Sequence, residues 1–373
     1  MKIAVMGIRG IPAKYGGFET FAEGLATKLV ERGHEVTVYG RSNMIGAEIR
    51  TYQGVKIRVL PTIRHKYLDT VAHTFLSVLH SLWNRFDMIL ICNAANSLFS
   101  FLPRMAGMKV VVNVDGIERL RKKWNWLGKS YYRLGEYLST KLPNAIVTDA
   151  EVIRKYYLKT YKKDSLMIPY GTALERLDSH DILKKYDLEP GRYILFVSRL
   201  EPENNAHLVM EAFRKIKTDK KLAVVGDAPY ATAYKKYLGK IAEGDRRIIC
   251  TGFVFGQGYQ ELQSHAACYV QATEVGGTHP ALLEAMACGN CVLANGTSEN
   301  VEVVGDSGVI YQKNDIHELR EKLAYLIGHE DVCRWYGQRA RARVRERYSL
   351  EKMVDRYESF FLEITGEKAV VRI

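Results

Sequence analysis

Six cysteines are scattered through 373 residues, too few and too dispersed for the disulfide framework on which small secreted domains rely. Cys288-Gly-Asn-Cys291 lacks the second pair that a zinc site needs, so packing is its plain reading against a metal or redox role. No stretch approaches the ~18 uninterrupted apolar residues of a membrane-spanning helix. The opening Met1-Lys-Ile-Ala-Val-Met-Gly reads as a first strand and not as the core of a secretory leader. Acidic charge is also short, leaving a formal excess of +12. Without a zinc finger or a ribonucleoprotein motif to direct it at nucleic acid, that excess suits an anionic membrane face or an anionic substrate. A reduced, cytoplasmic setting is expected, with no nucleic-acid partner.

The length exceeds the ~250–300 residues at which single cores stop growing, so two domains are expected. Strand-like runs recur at 2–7, 35–39, 55–60, 88–92, 110–114 and 145–148, with helical patterns between them, notably 68–83. A second series follows at 193–197, 222–226, 248–253, 268–273, 292–295 and 309–311. Such alternation predicts parallel sheets covered on both faces, an α/β class with ligands at the carboxyl ends of the strands. The first strand runs into Gly7-Ile-Arg-Gly10-Ile-Pro-Ala-Lys-Tyr-Gly16-Gly17, a glycine-rich turn before a helix. Its spacing is not that of a dinucleotide fingerprint, which weakens an oxidoreductase reading.

The stretch around which the chain is organised is Glu274-Val-Gly-Gly-Thr-His-Pro-Ala-Leu-Leu-Glu284-Ala-Met-Ala-Cys-Gly289. A buried strand precedes it and a core-facing helix follows, with Thr278 expected at the N-cap and Pro280 in the first turn. Glycines here let backbone amides approach a ligand, and the free N–H groups of the first helical turn favour an anion. Glu284, one turn further in, suits sugar or ribose hydroxyls. A phosphate-and-sugar site is the outline.

The segment resembles the donor-site signature of the retaining GT-B glycosyltransferases of family four, matching at Leu283 to Ala287 and at Gly289. Ile168-Pro-Tyr-Gly171 and Ser198-Arg199-Leu-Glu-Pro-Glu-Asn204-Asn205 are similar to that family's interdomain crossing and phosphate loop. A subgroup similar to bacterial rhamnosyltransferases carries a like Val-Gly-Gly-Thr-x-Pro form. The resemblance implies two Rossmann-like domains facing across a cleft, with residues 1–170 and a returning C-terminal helix, 350–373, forming the acceptor domain. Residues 171–349 would form the nucleotide-sugar domain. It implies donor contacts from Gly16, Gly17, Arg199, Asn204, Gly252, Gly277, Thr278, His279, Leu283 and Glu284. Arg199, Asp115 and Glu274 are the candidate catalytic groups.

Two departures stand out. The position eight before Glu284 is Gly276, the nearest acid being Glu274, and the family's lysine is replaced by Asn204, leaving Arg199 to carry more of the diphosphate or Arg9 or Lys14 to assist. Asp115, at a strand end, either takes a proton from the acceptor or caps a helix.

The expected reaction is metal-independent transfer of a sugar, without a cofactor, to a lipid-linked or oligosaccharide acceptor in surface-polysaccharide synthesis. The subgroup favours dTDP-rhamnose; a UDP-hexose donor or a non-catalytic scaffold are the alternatives. The chain lacks the Asp-x-Asp of metal-dependent transferases. Basic residues interleave with aromatics in 119–133, where Arg119, Lys122, Trp124 and Trp126, beside Glu118, suit an acceptor or the anionic inner face of the cell membrane. The bland alternative is a solvated helix.

Overall fold

Runs of aliphatic residues that leave no face polar can only be satisfied between two layers, and the chain places them in two parallel sheets. A computed structural model describes residues 1–14, 16–46, 48–63, 65, 68–122, 124–228 and 231–367. Two compact units divide it: residues 1–120, 124–171 and 350–373 form the first, and Arg121 and Lys122 cluster with residues 172–349 in the second. The expected C-terminal helix is described as Leu350–Thr365, and 368–373 lie outside the described residues.

The first unit contains β1 (Lys2–Met6), β2 (Glu35–Arg41), β3 (Thr51–Tyr52), β4 (Val55–Leu60), β5 (Met88–Cys92), β6 (Lys109–Val114), β7 (Ala145–Thr148) and β8 (Leu166–Met167). They pair in the order β3-β4-β2-β1-β5-β6-β7-β8. Pairing is parallel except for the two-residue β3, which turns back on β4. β5 is buried at every position, as a central strand covered on both faces must be. Met6, Ile89, Ile91, Val110 and Val112 form one of its cores with Ile153 and Tyr157.

The helix Leu350–Thr365 completes this unit. Its buried face carries Met353, Val354, Tyr357 and Phe361. Tyr357 packs on Phe21 of the helix Gly17–Glu31, and its ring partner Phe21 stacks on Tyr170 at 4.7 Å. Along the rim, Arg32 meets Glu351, Asp355 and Glu358, while His34 meets Glu358 at 2.8 Å.

The second unit holds β9 (Tyr193–Val197), β10 (Lys221–Val225), β11 (Ile248–Gly252), β12 (Cys268–Gln271), β13 (Cys291–Asn295) and β14 (Val309–Tyr311). Their order is β11-β10-β9-β12-β13-β14, all parallel. Order reverses between β9 and β12, the kind of switch point at which α/β sheets place ligands. The loops after those two strands carry Arg199 and Glu274.

Candidate active site in the second unit

The loop after β12 is pinned before it reaches its helix. Asn205 and Asn295 both donate to the carbonyl of Ala272 at 3.0 Å, and Asn300 donates to that of Thr273. Asn314 ties the set together, accepting from Asn205 and Asn295 and donating to Glu274 Oε2 at 2.5 Å. The backbone of Glu274 also donates to the carbonyl of Glu203. Sequence reasoning missed this carboxamide clamp, whose members are up to 109 positions apart.

The following helix is Pro280–Ala287, and its N-cap is His279, not the expected Thr278. Proline at the first helical position places the cap one residue later. The His279 ring lies over Gly276, where any β-carbon would collide with it. That contact explains the departure at the position eight before Glu284: no glutamate fits there while the ring does. Glu274 instead brings a carboxylate to the loop, held by Asn314 and by Lys122 Nζ at 2.5 Å. Burial holds the His279 pKa down to about 3, and the positive charges of Arg121 and Arg199 add to the effect. The ring is therefore neutral at physiological pH and can offer one N–H.

Glu284 is buried and accepts from Tyr259 Oη at 2.5 Å. Burial raises its pKa, with the tyrosine hydrogen bond opposing. Gln263 donates to the same phenol, so Tyr259 fixes the carboxylate from behind and takes one of its two oxygens. Gly252 ends β11 at φ +71° with open space at its α-carbon. Beyond it Phe253 and Phe255 stack at 5.4 Å, both partly solvent-exposed.

Several expected residues have other duties. The Asn204 amide donates to the Arg199 carbonyl at 2.7 Å, shaping the loop after β9 from behind. Leu283 has its side chain fully buried and its N–H taken by the His279 carbonyl. Gly277 and Thr278 are buried in the turn.

In the first unit, Gly16 caps the helix Gly17–Glu31 in extended backbone. Buried Glu19 accepts from the Arg9 N–H at 2.9 Å and Glu23 from that of Ala13, together folding the glycine-rich turn. Asp115 follows β6 and is half-buried, its charge bearing on Tyr170 and Cys92. Glu118 and Arg119 form a single 3-10 turn. Arg119 turns inward to the nearly fully buried Glu136 at 3.3 Å and to Tyr156 at 2.8 Å. A carboxylate so deeply placed needs a counter-charge, and Tyr156 and Tyr161 donate to it as well. Lys122 likewise serves Glu274.

Trp124 packs on Tyr132 at 5.0 Å, whereas Trp126 is 73% exposed at the start of the helix Trp126–Ser139. Leu127, Leu134 and Tyr137 are exposed on the same helix, together with Lys129 and Arg133. Its other side packs through Gly135 on Ala94 and Ala95.

Residues 15–176 match the model for Glycosyltransferase Family 4, and residues 191–329 match that for Glycosyl transferases group 1. The chain belongs to the glycosyltransferases. Among curated relatives, this glycosyltransferase is 28% identical over 193 residues to the N-acetyl-alpha-D-glucosaminyl L-malate synthase of Bacillus anthracis, covering 50% of each chain. It is 22% identical over 269 residues to an O-antigen chain mannosyltransferase C of Escherichia coli, covering 68% of this chain and 67% of that one. The chain thus spans about half the length of several curated relatives. The fold is shared with Anabaena HepE in complex with UDP-glucose, at a TM-score of 0.79 and 16% identity over 97% of this chain and 100% of that one. Two parallel-sheet domains of this kind are the GT-B architecture. Among the described residues no helix is long and apolar enough to cross a membrane.

Proposed function

We propose that this glycosyltransferase moves a sugar from a nucleoside diphosphate donor, held by the second unit, to a hydroxyl of a lipid-linked or oligosaccharide acceptor. The observation that carries the reading is that the charge of Arg199 bears on His279 at the N-terminus of Pro280–Ala287, with Glu284 held by Tyr259 one turn further along the same helix. The barrier to transfer lies in departure of a diphosphate from an oxocarbenium-like carbon, so the useful groups stabilise charge on the leaving group. Arg199 and the amides of residues 277–279 suit that charge. The carboxylate of Glu284, oriented by Tyr259, suits a ribose hydroxyl, and Phe253 with Phe255 suits the face of a base. Glu274 and His279 are the groups for the donor sugar. Retention of configuration and independence of metal are the family's expectations for this site. Gly16 and Gly17 remain candidate donor or acceptor contacts of the first unit, and Asp115 its candidate acceptor base.

The Val-Gly-Gly-Thr-x-Pro form of the turn favours dTDP-rhamnose. A second reading, a UDP-hexose, is favoured by Glu284, because deoxyribose offers a carboxylate only its 3′-hydroxyl. The UDP-glucose bound to the Anabaena neighbour is in keeping with it. For the acceptor, the exposed Trp126, Leu127, Lys129, Arg133, Leu134 and Tyr137 support peripheral contact with an anionic leaflet on the cytoplasmic face. Surface polysaccharide is the product class this implies, in keeping with the O-antigen relative.

Thermal shift with uridine, guanosine, adenosine and deoxythymidine diphosphates and their sugars, with and without magnesium, tests the reading. The largest shift is expected with deoxythymidine diphosphate rhamnose and should not need the metal. A larger shift with a uridine diphosphate sugar would move the donor within the same class. No shift with any nucleotide would remove the donor site and favour a scaffold.

A further inference from the structure

The phosphate loop carries Asn204 where a second cation would be expected, and the second unit fills that deficit from elsewhere in the chain. Arg121 and Lys122, far upstream in sequence, cluster with this unit. Lys122 bonds Glu274 at 2.5 Å. The Arg121 guanidinium is 8% exposed and stands 3.8 Å from the carboxylate of Glu203, the residue just before Asn204. Glu203 is fully buried, and neither of its carboxylate oxygens has a hydrogen-bond partner among the described residues. A buried carboxylate left in that state strongly favours a cation beside it, so Glu203 fixes where the guanidinium can sit. The charges of Arg121 and Arg199 both bear on the His279 ring at the N-terminus of Pro280–Ala287. The charges of two arginines thus act on one histidine at a helix N-terminus.

We propose that Arg121 is the second diphosphate-binding cation of this glycosyltransferase, standing in for the lysine that Asn204 replaces, with Glu203 as its positioning residue. The inference rests on the donor-site reading above. A guanidinium presents five N–H donors in a fixed fork, so one edge can face Glu203 while another meets phosphate oxygens. The arrangement also explains why the loop tolerates an uncharged residue at 204. Its amide is spent on the Arg199 carbonyl, and the charge arrives from the segment after β6.

Isothermal titration with uridine and uridine diphosphate, and with thymidine and thymidine diphosphate, separates the role of Arg121 from the existence of the donor site. The readout is the ratio of diphosphate to nucleoside affinity, which isolates the phosphate contribution. Arg121→Gln should lower that ratio roughly ten- to a hundredfold, the range of a charge-assisted hydrogen bond, and leave nucleoside affinity unchanged. Glu203→Gln should lower it less, again without touching the nucleoside, a split that a merely structural role would not give. Because Arg121→Gln strands a buried acid, Arg121→Gln/Glu203→Gln serves as the variant without that penalty and should show the same loss. Arg121→Lys should restore part of the ratio. An undiminished ratio in Arg121→Gln and the double variant, with Arg199→Gln lowering it as expected, would overturn the role of Arg121 alone. Failure of the unmodified protein to bind any of these nucleosides or diphosphates would overturn the donor-site reading, and the role of Arg121 with it.

Discussion

The two units build the same device with different chemistry. Each has a glycine directly after a strand where the backbone at the end of the neighbouring strand comes too close for any side chain: Gly7 against the Cys92 carbonyl, and Gly226 against that of Ser198. Both have positive φ, +87° and +135°. The loops above them differ. The first unit folds its turn with carboxylates, Glu19 and Glu23 accepting backbone N–H groups, and fastens its 3-10 turn with Glu136. The second uses carboxamides, with Asn205, Asn295, Asn300 and Asn314 pinning the loop after β12. Carboxamides hold a loop without adding negative charge, which suits the diphosphate proposed to bind there. Two acids of the second unit's loops, Glu203 and Glu274, each face a cation.

If the glycines are equivalent, breaking either should have the largest effect of any single change. Gly7→Ala and Gly226→Ala each add strain at positive φ to a collision with backbone that cannot step aside. A loss on the order of 4 kcal/mol is expected from each, read by calorimetric unfolding. A clear drop for one and none for the other would end the parallel.

Acid should next reach both units, through His73 in the first and His279 in the second. His73 is buried in the first, donating to the Gly40 carbonyl at 3.0 Å. Burial first, and then the charge of Arg41, lowers its pKa from 6.5 to about 4. The unfolded chain therefore takes up this proton first. Its contribution is fully present above pH 6.5 and is lost as pH falls toward 4, an effect of about 3 kcal/mol over that window. His73→Gln should flatten the pH dependence of the first unit's unfolding between those limits. A slope unchanged by the substitution would show that other groups set the acid limit.

A smaller loss is expected from the clamp. Asn314→Ala removes the acceptor shared by Asn205 and Asn295 and one of the bonds to Glu274. Roughly 1–3 kcal/mol of stability should go with the stranded donors, together with weaker donor binding. Glu19→Gln in the first unit keeps an oxygen for the Arg9 N–H, so its cost should be well under 1 kcal/mol. If the ranking reverses, charge and not bond count holds these loops.

Much of the fold was legible because buried parallel strands are continuous apolar runs. Val309–Tyr311 and Met88–Cys92 begin and end where the residues change character. β3 was not legible, since two residues show no period. In the site, the turn and helix around 274–289 could be read from local signals, but the N-cap fell one residue late. What could not be read depends on partners distant in sequence. The inward turn of Arg119 is set by Glu136 and Tyr156, and the clamp by asparagines at or beyond the ends of three different strands. Even the Gly276 departure, three residues from its cause, became intelligible only once the His279 ring was seen above it.

The smallest stability effect is expected where the contrast with these inward-facing groups is greatest. Trp126 and Leu134 project from the helix Trp126–Ser139, with Lys129 and Arg133 exposed on the same helix, while Arg119 of the same basic segment is spent on Glu136. Trp126→Ser/Leu134→Ser should change unfolding free energy by less than about 0.5 kcal/mol per site, since little is buried to lose. Cosedimentation with phosphatidylglycerol vesicles should nevertheless fall sharply, because each ring or aliphatic chain that enters the interface contributes apolar burial the fold never used. Lys129→Gln/Arg133→Gln should weaken vesicle binding by about 1 kcal/mol per charge and blunt its salt dependence. Arg119→Gln should do the reverse, costing stability through the stranded Glu136 and leaving vesicle binding intact. If both pairs leave cosedimentation unchanged, the helix is a solvated face and the basic aromatic segment serves the protein's interior alone.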